Sequence, residues 1–408
     1  MHTKLKYTTK NSIILITIFN FLFPLLGLIL NSVYYFINNL SLQYKKIIFF
    51  NIAFSFSFLG FLYLRTNETG DVYRYALSLY YYGKSMLNGR EHIIEGIYES
   101  FYPLWYFILY VANKLNLNIQ FINMIAGFTI YFSWFYIILD LERKYRKNID
   151  KILIAKILLY ISFIAIFSSY KTLWAYSFIF VGIYMLLNNK KLGYIYILLG
   201  IGIHPIAWIP LIIYLISNLK KFKKIYLYIS IILGMIFKNF IQFFTAFLNI
   251  PFIGSKINTY IYGQWSLYSF QDNSEYVKFF ILVCLITFIL YIILFNKIMI
   301  KSNDKFFRQY NNFILFYFSI SLWFISFRTI ELRLMEDGII FFLPLFYQAF
   351  MIRRVYKKYI LNFLILFIWW AMIDFRIFNF FNKAYIIGDG FPLNIFSSSI
   401  IYTLKDVL

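Results

Sequence analysis

The sequence predicts an all-α, polytopic integral membrane protein, and three observations carry that prediction. The 408-residue chain is 62% hydrophobic and only 14% charged. Its apolar residues fall in long blocks, and its Lys and Arg sit in short clusters between them. A soluble domain of this length has no interior large enough to hide so much apolar surface. A bilayer surrounds apolar faces with lipid and admits helices, which satisfy their own backbone. The net charge of +22 would suggest nucleic acid on a soluble protein. Here the clustering follows the positive-inside rule instead, and no basic face with interleaved aromatics stands outside the blocks. Cys284, the one cysteine, lies within an apolar block, so the chain has neither a disulfide framework nor a Cys-based metal site.

The apolar blocks run over 11–37, 47–64, 101–114, 119–139, 152–168, 172–188, 193–217, 225–248, 277–296, 312–327, 338–352 and 359–378. A bilayer core needs about 20 helical residues, so these blocks predict about 10–12 membrane helices, some short or broken. Block 11–37 follows a basic N-terminus but runs too long for a signal-peptide core and lacks a clear small-x-small cleavage site, which predicts a retained first span. Block 101–114 is too short to cross. Block 193–217 is interrupted by His204-Pro205, and a helix is disfavoured at the residue before a proline.

Charge predicts the topology. The basic clusters are Lys45-Lys46, Arg143–Lys151, Lys190-Lys191, Lys220–Lys224, Lys297–Arg308 and Arg353–Lys358. All can be cytoplasmic only if two apolar blocks enter the membrane and return, and 101–114 and 193–217 are the candidates. Irregular backbone at that depth is tolerated only when buried in protein or facing a cavity, so both breaks predict an internal cavity. The outer loops are then 65–100, 249–276 and 328–337, with a tail from 379, and most acidic residues fall there. Lys4, Lys6 and Lys10 conflict with this arrangement unless block 11–37 is itself broken near Pro24 and Gly27, or the N-terminus is an exception. No internal repeat or low-complexity linker divides the chain, which predicts one transmembrane domain over 1–408.

Residues suited to chemistry gather in the outer loops and the broken blocks. Asp71 opens an apparently helical stretch, and Asp is a common helix N-cap. It also shares one face with Tyr75, one turn on, with Arg74 nearby and Arg65 just before. A carboxylate among cations and phenols suits a sugar hydroxyl and a phosphate. Glu91, Glu95 and Glu99 fall on one helical face, and Glu99 adjoins the short block. His92 and Glu95 at i and i+3 lack the further ligands that a metal site needs.

His204 is the one histidine within an apolar block, where an ionisable group normally faces a cavity and has a partner. Lys171, in Phe167-Ser-Ser-Tyr170-Lys171-Thr-Leu-Trp174, stands at the outer end of a span, where the simplest account is a lysine snorkelling to water. The stretch Arg328–Gly338 offers Arg328–Glu331 and Arg333–Asp337 as intrahelical pairs, although such pairs contribute little at a surface. Arginine also binds phosphate bidentately, so Arg65, Lys171 and Arg333 at one membrane face would suit a lipid-linked diphosphate. The chain has no Walker motif, dinucleotide loop, Asp-x-Asp pair or Gly-x-Ser-x-Gly elbow. An ATP-driven pump and a sugar-nucleotide transferase of the soluble type are therefore disfavoured.

The order of these clusters resembles the EpsG/Wzy-type membrane polysaccharide polymerases. Asp71, Tyr73 and Tyr75 match an early outer loop, and Glu99 to Tyr106 match the entry into the next block. Gly202-Ile-His204-Pro-Ile-Ala matches a small-residue-x-His segment, and Arg333 a late arginine. The chain departs from the pattern at Lys171, where the family carries arginine; lysine keeps the charge but loses the bidentate fork. The resemblance implies a fold like that of GT-C membrane glycosyltransferases, in the bacterial cytoplasmic membrane. It implies glycosyl transfer at the outer face without metal or other cofactor. Polyprenyl-diphosphate-linked oligosaccharide repeats would be joined into O-antigen, capsule or exopolysaccharide, in some systems beside a chain-length regulator. Asp71, Glu99 or His204 would be the base. Arg65, Arg74, Tyr75, Lys171 and Arg333 would hold sugar and diphosphate. A lipid-linked oligosaccharide flippase and an O-antigen ligase are the alternatives. A flippase is expected to show internal repeats, whereas the ligase would use similar acid and arginine clusters.

Overall fold

The computed structural model describes residues 2–62, 75–76, 103–146, 170–245, 304–324, 330, 333–334 and 337–351, and among these the chain is helical with no strand. The helices are α1 (His2–Leu22), α2 (Pro24–Ile37), α3 (Leu42–Leu62), α4 (Pro103–Lys114), α5 (Ile119–Tyr145), α6 (Tyr170–Leu187), α7 (Gly193–Ile203), α8 (Trp208–Leu219), α9 (Lys224–Thr245), α10 (Lys305–Trp323) and α11 (Leu343–Met351). A 3-10 turn, Pro205–Ala207, joins α7 to α8, and a 3-10 helix, Asp337–Phe342, precedes α11. Among the described residues α5 and α6 are long and apolar enough to cross a bilayer, and α2, α7 and α8 are shorter apolar helices. The predicted spans 152–168, 277–296 and 359–378 lie outside the described residues. The chain divides into two compact units: Met1–Gly96, Pro103–Ser177 and Arg376–Leu408 form one, and Ile97–Tyr102 and Phe178–Phe375 the other.

In the first unit, α3 and α5 pack antiparallel along a ladder of aromatic pairs. Phe49 stacks on Phe135 at 4.5 Å, Phe56 on Tyr131 at 4.4 Å, and Phe61 meets Phe121 edge-on at 5.0 Å. Each such pair contributes about 0.5–1.5 kcal/mol beyond its buried area. The ladder ends at Lys45, whose ammonium donates to both carboxylate oxygens of Glu142 at 2.9 and 3.0 Å. Both side chains are buried. Lys45 therefore shares one end of the unit with Arg143, Lys144 and Arg146.

Block 11–37 is not a single span. It breaks at Phe23, directly before Pro24, and α2 folds back along α1. Pro24 suits the first position of a helix, where its missing N–H costs nothing. A polar network fastens the elbow to α3. Asn31 donates to Asn20 Oδ1 at 3.0 Å, and Asn51 donates to Asn31 Oδ1 at 3.0 Å and Thr17 Oγ1 at 2.9 Å. Ser55 donates to Asn20 Oδ1 at 2.7 Å. Asn20 and Asn31 would lie about 16 Å apart in a straight helix, so a direct bond requires the fold-back. Gly27 permits it, because a Cβ there would collide with the Asn20 backbone. The reversal carries Lys10 toward the same end as Lys45. It answers the N-terminal charge conflict by the broken-block alternative.

In the second unit, α6 and α7 form a tight antiparallel hairpin across Asn188–Leu192. Asn189 takes φ 60°, a left-handed conformation that asparagine tolerates better than most residues. Gly182 and Gly193 allow close approach: a Cβ on Gly182 would lie 2.8 Å from the Gly193 carbonyl oxygen. Tyr184, one turn before the end of α6, packs on Phe306 at the start of α10 at 5.4 Å. Asn312 of α10 clamps the turn after α8, accepting from Phe222 N–H at 2.7 Å and donating to the Lys220 carbonyl at 2.8 Å. Lys190-Lys191, Lys220–Lys223 and Lys305 therefore lie at one end of this unit. Helices α7 and α8 leave that end and return to it, as predicted for block 193–217. With a rise of about 1.5 Å per residue, α7 climbs about 17 Å before the break, roughly half a bilayer core.

Two boundaries differ from the sequence reading. Block 312–327 belongs to a helix that begins at Lys305, so Lys305 and Arg308 ride on its first turn. Asp304 explains this, since its carboxylate caps the N–H groups of Phe306 and Phe307 at 2.8 and 3.3 Å. Block 338–352 is not one α-helical span but a 3-10 helix followed by α11. Tyr310 donates to the Phe341 carbonyl and Tyr317 to the Leu334 carbonyl, both at 2.7 Å, tying this segment to α10.

Candidate functional site

In the first unit Lys171 lies in an aromatic cage. Its ammonium stands 4.6 Å from the Trp105 ring centroid and 5.2 Å from that of Tyr75. Tyr170 packs behind these two rings, 5.3 Å from Tyr75 and 6.0 Å from Trp105, and Tyr75 meets Trp105 edge-on at 5.0 Å. Lys171 is only 7% exposed. This corrects the snorkelling account, which keeps the charged head in water. Each ring face contributes about 1 kcal/mol, rising to about 2 when the pair is desolvated. These ring contacts offset part of the cost of burying a charge.

Tyr75 was picked out with Asp71 and Arg74; Tyr75 is helical and half-buried. Asp71, Arg65, Arg74 and Glu99 lie outside the described residues. Sequence reasoning missed Trp105. The signal was present in Pro103-Leu-Trp105-Tyr106: a tryptophan in the first turn of a block too short to cross. Tyrosine and tryptophan rings offer flat apolar faces with a polar edge, which suits a sugar as well as a cation.

In the second unit His204 sits at the tip of the α7–α8 hairpin, half-buried and extended at φ −152°, ψ 130°. The residue before a proline favours that conformation. Its N–H donates to the Gly200 carbonyl at 3.1 Å, and its carbonyl accepts from Ala207 at 3.1 Å. Nδ1 accepts the N–H of Ile206 at 3.2 Å. Arg333, helical and half-buried, adjoins Leu334, whose carbonyl is held by Tyr317. Tyr317 stands twelve residues into α10, about 18 Å from the basic end. Asp337–Phe342 is a 3-10 helix, and Arg328 and Glu331 lie outside the described residues.

The family model described as the EpsG family matches residues 47–387, a range that includes every candidate site residue. No curated protein matches the chain, and no solved structure matches it.

Proposed function

The chain belongs to the EpsG family, and on that premise we propose that it polymerises polyprenyl-diphosphate-linked oligosaccharide repeats at the outer face of the bacterial cytoplasmic membrane. It is a membrane protein of polysaccharide biosynthesis by family and by its apolar helices. The observation that carries the proposal is the buried Lys171 ammonium beneath Trp105 and Tyr75. In the reaction an acceptor sugar hydroxyl attacks the anomeric carbon of the donor. The bond from that carbon to the lipid diphosphate breaks, and its electron pair leaves on the diphosphate. Lys171 opposes the growing negative charge, and the family pattern offers Arg333 and Arg65 as further phosphate-binding candidates. A carboxylate, Asp71 or Glu99, takes the hydroxyl proton.

Arg333→Ala is expected to abolish polymer while leaving the protein in the membrane. Arg333→Lys should recover only part of it, since a point charge replaces a planar fork. Polymer of normal length from Arg333→Ala cells would remove this arginine from the reaction.

Shared ends of the basic clusters within each unit support one further expectation. Single cysteines at positions 147 and 222 should resist an impermeant reagent added outside intact cells, and one at position 90 should react. Outside labelling at both 147 and 222 would overturn the topology.

A further inference from the structure

We infer that His204 serves the reaction as a hydrogen-bond donor through Nε2 and is not its general base. This rests on the polymerase reading above and deepens it. The break at His204-Pro205 creates a specific local need. The 3-10 turn begins at Pro205, which has no N–H, so Ile206 supplies the first amide that needs an acceptor. His204 occupies the capping position, and its Nδ1 accepts that amide at 3.2 Å. A ring nitrogen that accepts uses its lone pair and carries no hydrogen. In neutral imidazole the other nitrogen then bears it. The turn therefore selects the Nε2–H tautomer.

That selection decides the chemistry. A base must take up a proton, and Nε2 already holds one, so the proton would have to go to Nδ1. Nδ1–H would then face the Ile206 N–H, donor against donor, and the turn would lose its cap. A donor role carries no such conflict. While the acceptor oxygen bonds to the anomeric carbon and the diphosphate departs with its electron pair, Nε2–H donates to a diphosphate oxygen and keeps its proton. The acceptor's proton goes to the carboxylate.

Two substitutions separate the two ends of the ring. In His204→Asn the amide oxygen falls near the place of Nδ1 and can cap Ile206, but nothing reaches the place of Nε2. In His204→Gln the amide nitrogen reaches the place of Nε2 but the cap is lost. Both full-length variants are to be expressed in producing cells deleted for the wild-type chain, with membrane level, thermal stability in detergent and polymer measured. His204→Asn should keep wild-type stability and lose roughly 10²-fold or more of polymer, the scale of one lost transition-state donor. His204→Gln should be less stable yet retain more polymer per folded molecule than His204→Asn. A fully active His204→Asn would reduce His204 to a cap, and two folded but equally inactive variants would restore the base; either overturns the inference. Should His204→Gln fail to fold, nitrogen NMR of the wild-type protein decides, with the His204 signal assigned by its loss in His204→Asn. An Nε2–H tautomer is expected, and Nδ1–H would overturn the proposal. Unchanged polymer in the deleted cells without any complementing copy would instead sink the polymerase reading itself.

Discussion

Lys171→Met is expected to lower polymer formation by about 10²–10³-fold, the loss that follows removal of one charge-stabilising group from a transition state. The protein should remain in the membrane at near wild-type level. Methionine has nearly the same unbranched stem and packs well against aromatic rings, so the contacts with Trp105 and Tyr75 survive without the charge. The cation–ring contacts that are lost contribute about 2 kcal/mol. Lys171→Arg should be partly active, because guanidinium keeps the charge and stacks on aromatic faces, although its larger plane must fit a cage sized for an ammonium. Polymer yield per molecule of membrane-extracted protein is the readout. Wild-type polymer from Lys171→Met would make the ammonium a packing element of the cage and withdraw the observation on which the proposed function stands.

What the sequence conveys here depends on how local the deciding physics is. Helical class follows from block length, because lipid leaves the backbone little alternative. The break at His204-Pro205 follows from a steric rule confined to two residues, and the return of α8 follows from charge sorting. Lys171 stands out as the one cation between the blocks 152–168 and 172–188. The cage around it does not, because Tyr75 and Trp105 come from distant parts of the chain.

The same holds for Asn20, Asn31 and Asn51. Each reads as one tolerable polar residue in an apolar block, and only the elbow at Pro24 joins them. Pro24 itself reads equally well as a kink within one span or as the start of a new helix; the network and the bare α-carbon of Gly27 decide for the latter. The 3-10 helix Asp337–Phe342 is likewise tied down from a separate helix, by the Tyr310 hydroxyl at Phe341 and by that of Tyr317 at Leu334 just before it.

Glu142→Gln is expected to destabilise the protein by about 3–5 kcal/mol, the usual result of removing one member of a buried ion pair. The carboxylate is the acceptor of both hydrogen bonds from Lys45, and both side chains are shielded from water. The substitution preserves shape and leaves an ammonium buried without its counter-charge. Adding Lys45→Met should restore most of the loss, because replacing a buried pair by apolar groups is often neutral or better. The recovery separates the pair from its neighbours: Arg143, bonded to Asp140 one turn away, is mostly exposed and remains in both variants. Thermal unfolding of the purified single and double variants in detergent measures the coupling. A strongly negative coupling, with the double variant more stable than Glu142→Gln, is expected. Additive losses would show that Lys45 and Glu142 are held by their surroundings independently, and would remove the bond as the fastening between α3 and α5 at the basic end.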